Sequence, residues 1–185
     1  MTATQTSTRS TSTPRSLRYN DVNVGDALPT LPIPLTRTLI VSTAIASRDY
    51  QDVHHDPGLA EERGSPDIFM NILTTNGFVG RYVTDWAGPN AVFKSVKIRL
   101  GAPNYPGDTM TMTGQVTKKE GGLVEVALKG SNKLGDHVVG TVTLELPDPP
   151  VRWSAGGTVA DVPKRKKKDK KGHKLKLGKK RKSKK

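Results

Sequence analysis

The run Arg48-Asp49-Tyr50-Gln51-Asp52-Val53-His54-His55-Asp56-Pro57 holds the residues of this chain best suited to chemistry. Asp49 and His54 put a carboxylate and an imidazole five positions apart. Over one cleft such a pair is a minimal acid–base kit, because imidazole exchanges its proton near neutral pH while a carboxylate holds or passes one on. Gln51, between them, offers an amide that could position a water. If the loop is extended, alternate residues face opposite ways, so Asp52 and His55 should point elsewhere. Asp49, Asp52, His54, His55 and Asp56 include ligand types that zinc or iron takes, but the spacing matches no zinc motif. His137 is the only other histidine before the C-terminal tail. The expectation is acid–base chemistry with no metal.

Elements must hold that pair. Thr38 to Ala46 is short, apolar and β-branched, which predicts a buried strand running into the loop. Before it, VGDALPTLPIP (24–34) reads as a Pro-punctuated extended lead-in. After the loop, Asp56-Pro57 is a helix cap and first position, with Gly64 as the stop. Ser65-Pro66-Asp67 repeats the signal. From Ile68 through Ile72, Leu73, Val79, Tyr82, Val83 and Trp86 the apolar spacing predicts one long helix, ended by Gly88-Pro89. Ser65 as cap would aim the first N–H groups of that helix into the cleft. The second half alternates with period two at 96–100, 109–116, 123–128 and, less cleanly, 138–146. Turns at 104–108, 118–122 and 134–136 separate these runs, so they predict an antiparallel sheet. One strand, a long helix and four strands give an α+β layer fold, a curved sheet around a helix.

The expected organisation is a Ser/Thr-rich disordered tail (1–18), one domain (19–150), a linker (151–163) and a disordered Lys-rich tail (164–185). The net charge of +13 comes from the last segment, where 15 Lys/Arg face one acid; the other 163 residues net −1. That tail has no aromatic residue for base stacking. Two readings of it stay open: a solubilising tail, or one that attaches to polyanions without sequence preference and in a salt-sensitive way. The chain has no cysteine, which suits a cytoplasmic setting. No apolar run reaches the roughly 20 residues needed to span a bilayer, and the N-terminus lacks a secretory apolar stretch.

Order of elements and loop together carry a resemblance. Asp49-Tyr50-Gln51-Asp52-Val53-His54-His55-Asp56-Pro57 resembles the Asp-x-Asn-Pro-x-His-x-Asp-Pro signature of the MaoC-like (R)-specific enoyl-CoA hydratase family, which has the hot-dog fold. Gln51 and Asp52 stand where the family has Asn-Pro. Asp67-Ile68-Phe69-Met70-Asn71 stands where it commonly has Pro-Ile-x-His-Gly, so the backbone N–H that polarises the thioester carbonyl falls to Asn71. The stretches RDYQDV, HHD, DIFMNILT, RYVTDWAGP and LGDHV are similar to the small chains of actinobacterial steroid side-chain hydratases within that family. The resemblance implies hydration of a trans-2-enoyl-CoA to a 3-hydroxyacyl-CoA with Asp49 and His54 as catalytic residues. It implies no cofactor beyond the coenzyme A of the substrate. A second MaoC-like hot-dog chain would be the partner, in a heterodimer or heterotetramer, with a retro-aldolase docked on that chain. Two alternatives remain open here. One is a non-catalytic acyl-CoA-binding or scaffolding subunit. The other is a hot-dog thioesterase using Asp67 or Asp85 at the two ends of the long helix. The residues alone also leave open which of Asp49 and His54 is acid and which is base, although His54 suits water activation and Asp49 the proton at the α-carbon.

Overall fold

The structure, a computed structural model, describes residues 16–147. The linker at 151–163, the Lys-rich segment and all but the last three residues of the Ser/Thr-rich segment lie outside the described residues. Five strands form one antiparallel sheet: β1 (Leu31–Pro34), β2 (Val92–Leu100), β3 (Thr109–Glu120), β4 (Leu123–Asn132) and β5 (Gly135–Glu145). Their order across the sheet is β1-β3-β4-β5-β2. Helices α1 (Arg37–Ala46), α2 (Pro57–Glu62) and α3 (Ile72–Ala87) lie between β1 and β2 in the chain.

The four late strands sit where the alternation predicts them. Glu120 pairs with Leu123 across Gly121 and Gly122. Both glycines have positive φ, 59° and 84°, the two-residue turn whose twist suits a hairpin. The lead-in segment is the fifth strand: Leu31 pairs with Met112 and Ile33 with Met110. Pro32 and Pro34 confine it to the sheet edge, since proline donates no ladder hydrogen bond. The opposite edge is β2, which pairs on one side with β5. Val92, Phe93, Val96 and Leu100 remain exposed along it.

Two expected elements are different. The predicted strand 38–46 is helix α1. Thr36 caps it by accepting the N–H of Leu39 at 3.0 Å, and Ile40 and Ala44, one turn apart, are fully buried. Capping and a one-turn apolar repeat outweigh the modest helix penalty of the β-branched residues. The long helix starts not near Ser65 but at Ile72, capped by Asn71, whose Oδ1 accepts the N–H of Thr74 at 2.9 Å. Ser65 instead donates to its neighbour Asp67 O at 2.7 Å. The segment before Asn71 is extended because its backbone bonds outward: Phe69 N–H to Val53 O and Met70 N–H to Asn104 O, each 3.0 Å. Ile68 and Met70 are therefore core residues without being helical. Asp56 and Pro57 start α2 as read, and Gly88, at φ 84°, ends α3.

Helix α3 lies on the sheet. Val79, Tyr82, Val83 and Ala87 share one buried cluster with Met110, Met112 and Val116 of β3, Val124 and Val126 of β4, and Val142 and Leu144 of β5. Each such side chain removed from water contributes about 1.5–3 kcal/mol. Helix and sheet come close at Gly114, where a Cβ would stand 3.1 Å from the Tyr82 ring. A helix cradled by an antiparallel sheet is the hot-dog arrangement. No helix among the described residues is long and apolar enough to cross a membrane.

Candidate active site

Asp49 is placed by the end of α1. Arg48 takes a left-handed conformation (φ 58°), and two bonds close the helix behind it: Arg48 N–H to Ile45 O at 3.0 Å and Asp49 N–H to Ala44 O at 2.9 Å. This is a Schellman ending with arginine where glycine is usual. It fixes the Asp49 backbone and turns the chain away from the helix axis. A 3₁₀ turn at Asp52–His54 then swings His54 back. His54 Nε2 stands 3.4 Å from Asp49 Oδ2, with the two side chains 7% and 15% exposed. The expected convergence of carboxylate and imidazole is therefore present.

A hydrogen bond orients the imidazole. His54 Nδ1 lies 2.7 Å from Phe69 O. A carbonyl only accepts, so Nδ1 carries a proton and Nε2 is the ring nitrogen turned toward Asp49. The Phe69 ring meets the imidazole edge-on at 5.0 Å. Nε2 and Oδ2 face each other across that gap, and a water beside both could bond to each. Asn71 holds the carboxylate. Its Nδ2 donates to Asp49 Oδ2 at 3.0 Å and to Ser47 Oγ at 2.9 Å, while its Oδ1 caps α3. The cap fixes which end of the amide is nitrogen. The N–H of Gln51 approaches Asp49 Oδ1 at 3.4 Å; its side chain is exposed, so Gln51 enters the site through its main chain.

The start of α3 faces the same problem as any helix: its first N–H groups lack internal partners. Asn71 Oδ1 takes that of Thr74, and Thr75 N–H already bonds Asn71 O at 3.2 Å. The N–H groups of Asn71, Ile72 and Leu73 are left as the donors at the helix's positive end. Below them, Thr75 Oγ1 meets His137 Nε2 at 2.8 Å, and His137 Nδ1 meets Ala102 O at 2.6 Å. Burial holds the His137 pKa below its usual value, so the ring is neutral and accepts from Thr75. This link ties β5 to the first turn of α3. Nothing in the sequence marks His137 for this role, because one histidine in an alternating strand carries no sign of its partner. Ser47 and the Phe69 carbonyl were equally invisible, the one a helix C-cap and the other a backbone atom. Asn71 was expected to act through its backbone; its side chain does as much.

The other polar residues of the loop serve the frame. Asp52 pairs with Arg63 at 2.6 Å, His55 Nε2 reaches Tyr50 O at 3.3 Å, and Asp56 caps α2. Asp52 and His55 do point away, through the 3₁₀ turn and not through an extended loop. Among the described residues no cluster of three or more His, Asp or Glu is arranged for a metal ion. Asp67 precedes α3 and holds Arg37 through two bonds of 2.7 and 2.8 Å, which keeps its carboxyl below the usual range. Asp85 lies within α3 and pairs with Arg81 at 3.2 Å.

Comparison with known proteins agrees with this architecture. The family described as MaoC like domain matches residues 21–135. The 3-oxo-4,17-pregnadiene-20-carboxyl-CoA hydratase beta subunit of Mycobacterium tuberculosis is 55% identical over 125 residues, 68% of this chain and 97% of that protein. A chain in the crystal structure of the ChsH1-ChsH2 complex from the same organism is 54% identical, with a TM-score of 0.67 over 68% of this chain and 98% of that one. An (R)-hydratase from Pseudomonas aeruginosa, 18% identical, shares the fold at a TM-score of 0.67, covering 71% of this chain and 86% of its own.

Proposed function

This chain belongs to the MaoC-like domain family, and on that premise we propose that it hydrates a 2-enoyl-CoA thioester to the 3-hydroxyacyl-CoA. Its substrate class is a steroid side-chain thioester, as in the name of its M. tuberculosis relative. It works as the catalytic chain of a heteromer with a second hot-dog chain; the similar M. tuberculosis chain was solved in a ChsH1-ChsH2 complex. A retro-aldolase on that partner would consume the product. The reaction needs no cofactor beyond the coenzyme A of the substrate, and the setting is the cytoplasm.

The observation that carries this reading is the convergence of His54 Nε2 and Asp49 Oδ2 at 3.4 Å beside the start of α3. The thioester carbonyl lies against the N–H of Asn71. One such preorganised donor contributes about 10²–10³ in rate by stabilising the developing enolate. His54 Nε2 takes a proton from the water whose oxygen bonds to the β-carbon. The carbon–carbon π electrons move to the α-carbon and carbonyl. The proton passes across the short gap from His54 to Asp49, and from Asp49 to the α-carbon. Water's hydroxyl and proton both end on the thioester, and the pair returns to its starting state.

The test is hydration of an enoyl-CoA followed by loss of its conjugated absorbance, with the full chain alone and with its co-purifying partner. His54→Ala and Asp49→Asn should each lower kcat by about 10²–10⁴, the usual contribution of a positioned acid or base. Variants that match an active wild type would leave only an acyl-CoA-binding role.

A further inference from the structure

The first turn of α3 carries two side chains that bond away from it to different elements. Asn71 reaches the end of α1, at Ser47 and Asp49. Thr75, one turn on, reaches the sheet through His137 of β5 at 2.8 Å. In this Thr75 departs from other helix hydroxyls of the chain. Thr43, Ser47 and Thr84 each donate to the carbonyl four residues back, at 2.7, 2.8 and 2.9 Å. Thr75 stands 3.3 Å from that carbonyl, Asn71 O, and its nearer partner is the imidazole. His137 is anchored in turn. Its Nδ1 donates to Ala102 O at 2.6 Å. The Ala102 segment is laid against β5 by Gly101 N–H to His137 O at 2.8 Å and Ala102 N–H to Asp136 O at 2.9 Å. A Cβ on Gly101 would collide with Asp136 O, so glycine permits that approach. Thr75 is fully buried and His137 is 3% exposed, so neither meets a substrate.

Stability alone does not call for this pair. Replacing both partners of a buried hydrogen bond by apolar groups of the same shape is nearly neutral or stabilising, and α3 already packs in the core through Val79, Val83 and Ala87. Those apolar contacts are non-directional and leave the height and rotation of a helix loosely set. A hydrogen bond sets both, because it weakens steeply off line. We propose that His137 and Thr75 are positioning residues for hydration: anchored to the sheet, they hold the first turn of α3 where the Asn71 N–H meets the thioester oxygen. This rests on the hydratase reading and extends it to two residues that touch no reacting atom. The link to the donor is short. Thr75 N–H holds Asn71 O at 3.2 Å, so a shift of Thr75 moves the Asn71 main chain with it. Imidazole suits the task, since its two nitrogens stand apart on a rigid ring, one donating to a fixed carbonyl and one accepting from the helix. Asn71 ties the same turn to α1, so the donor is fixed from two sides.

The experiment is Thr75→Val in the full chain, purified with its partner. The substitution keeps the shape of the side chain and removes the hydroxyl. The probe is 3-oxo-4,17-pregnadiene-20-carboxyl-CoA, the thioester in the relative's name. A displaced donor loses transition-state stabilisation more than ground-state binding, so kcat should fall about 10–100-fold with KM held within about threefold. Thr75→Ser restores the hydroxyl and should keep most of kcat. The double variant Thr75→Val with His137→Leu removes the nitrogen that Thr75→Val leaves unpaired, and should show the same fall in kcat should the single variant fold poorly. Wild-type kcat in either folded variant, an equal fall in Thr75→Ser, or a rise in KM with kcat unchanged overturns the assignment and leaves the hydratase reading standing. A wild type that does not hydrate the thioester removes both readings together.

Discussion

Asn71→Asp replaces one amide nitrogen and leaves the shape unchanged. The cap survives, because a carboxylate oxygen still accepts the N–H of Thr74. The two donated bonds, to Asp49 at 3.0 Å and to Ser47 at 2.9 Å, are lost. An oxygen with negative charge then faces Asp49 Oδ2 at that distance. Two unit charges 3 Å apart repel by about 5 kcal/mol at an effective dielectric near 20. At 1.36 kcal/mol per pH unit that is an upper bound of about four units, and partial exposure reduces it. The pair therefore keeps one proton well above the usual carboxylate range, as like charges sharing a site do. The relay needs Asp49 free to receive a proton, so the acid limb of the kcat profile should move up by at least about one unit. Turnover at pH 7 should fall about 10²-fold or more. Asn71→Ser keeps a cap and adds no charge, losing only the hydrogen bond to a charged group. That is worth about 1.5–3 kcal/mol, so it should cost activity without moving the acid limb. Stability offers a second readout with a defined sign. A carboxyl raised in the folded state destabilises above its unfolded pKa and ceases to do so as pH falls, so the melting-temperature deficit of Asn71→Asp should shrink in acid. An unshifted rate profile would refute the claim that Asn71 governs the ionisation of Asp49.

Two further outcomes follow from the frame around the pair. Arg48 sits at φ 58°, a conformation that costs a residue with a Cβ about 1–2 kcal/mol; Arg48→Gly should keep kcat and hold or raise the melting temperature, whereas Arg48→Val should lower both, in thermal melts and turnover assays. His137 is held below its usual pKa by burial, so below about pH 6.5, where the unfolded imidazole protonates, the unfolded state binds the extra proton and folding weakens as pH drops toward the lowered folded value. His137→Gln should flatten that part of the stability curve in melts between pH 7 and 5, at some cost to stability at pH 7 through the lost Thr75 contact.

The sheet was legible because alternation survives in strands with one wet face: Val124, Val126 and Leu128 are buried at every second position of β4. The Asp49–His54 pair was legible because loop spacing fixes how far two side chains can separate. Helix α1 reads as a strand because Ile40, Val41, Thr43 and Ile45 are β-branched, and the cap at Thr36 decides for the helix. The start of α3 was misread because Ser65 and Asn71 are both good caps. What chose Asn71 is tertiary: Phe69 and Met70 give their backbone groups to Val53, His54 and Asn104, and a helix through those residues would forfeit all three bonds. The second role of Asn71 went unseen for the same reason, since Asp49 lies 22 positions upstream.

Strand β2 borders the sheet with one flank pairing β5 and the other pairing no strand among the described residues. Nine residues long and studded with bare valine, phenylalanine and leucine, it is the kind of margin to which any extended polypeptide can zip. Overproduced without a companion to occupy that margin, the chain should self-associate in proportion to its concentration, so that yield in the soluble fraction depends on how quickly the margin is capped after synthesis.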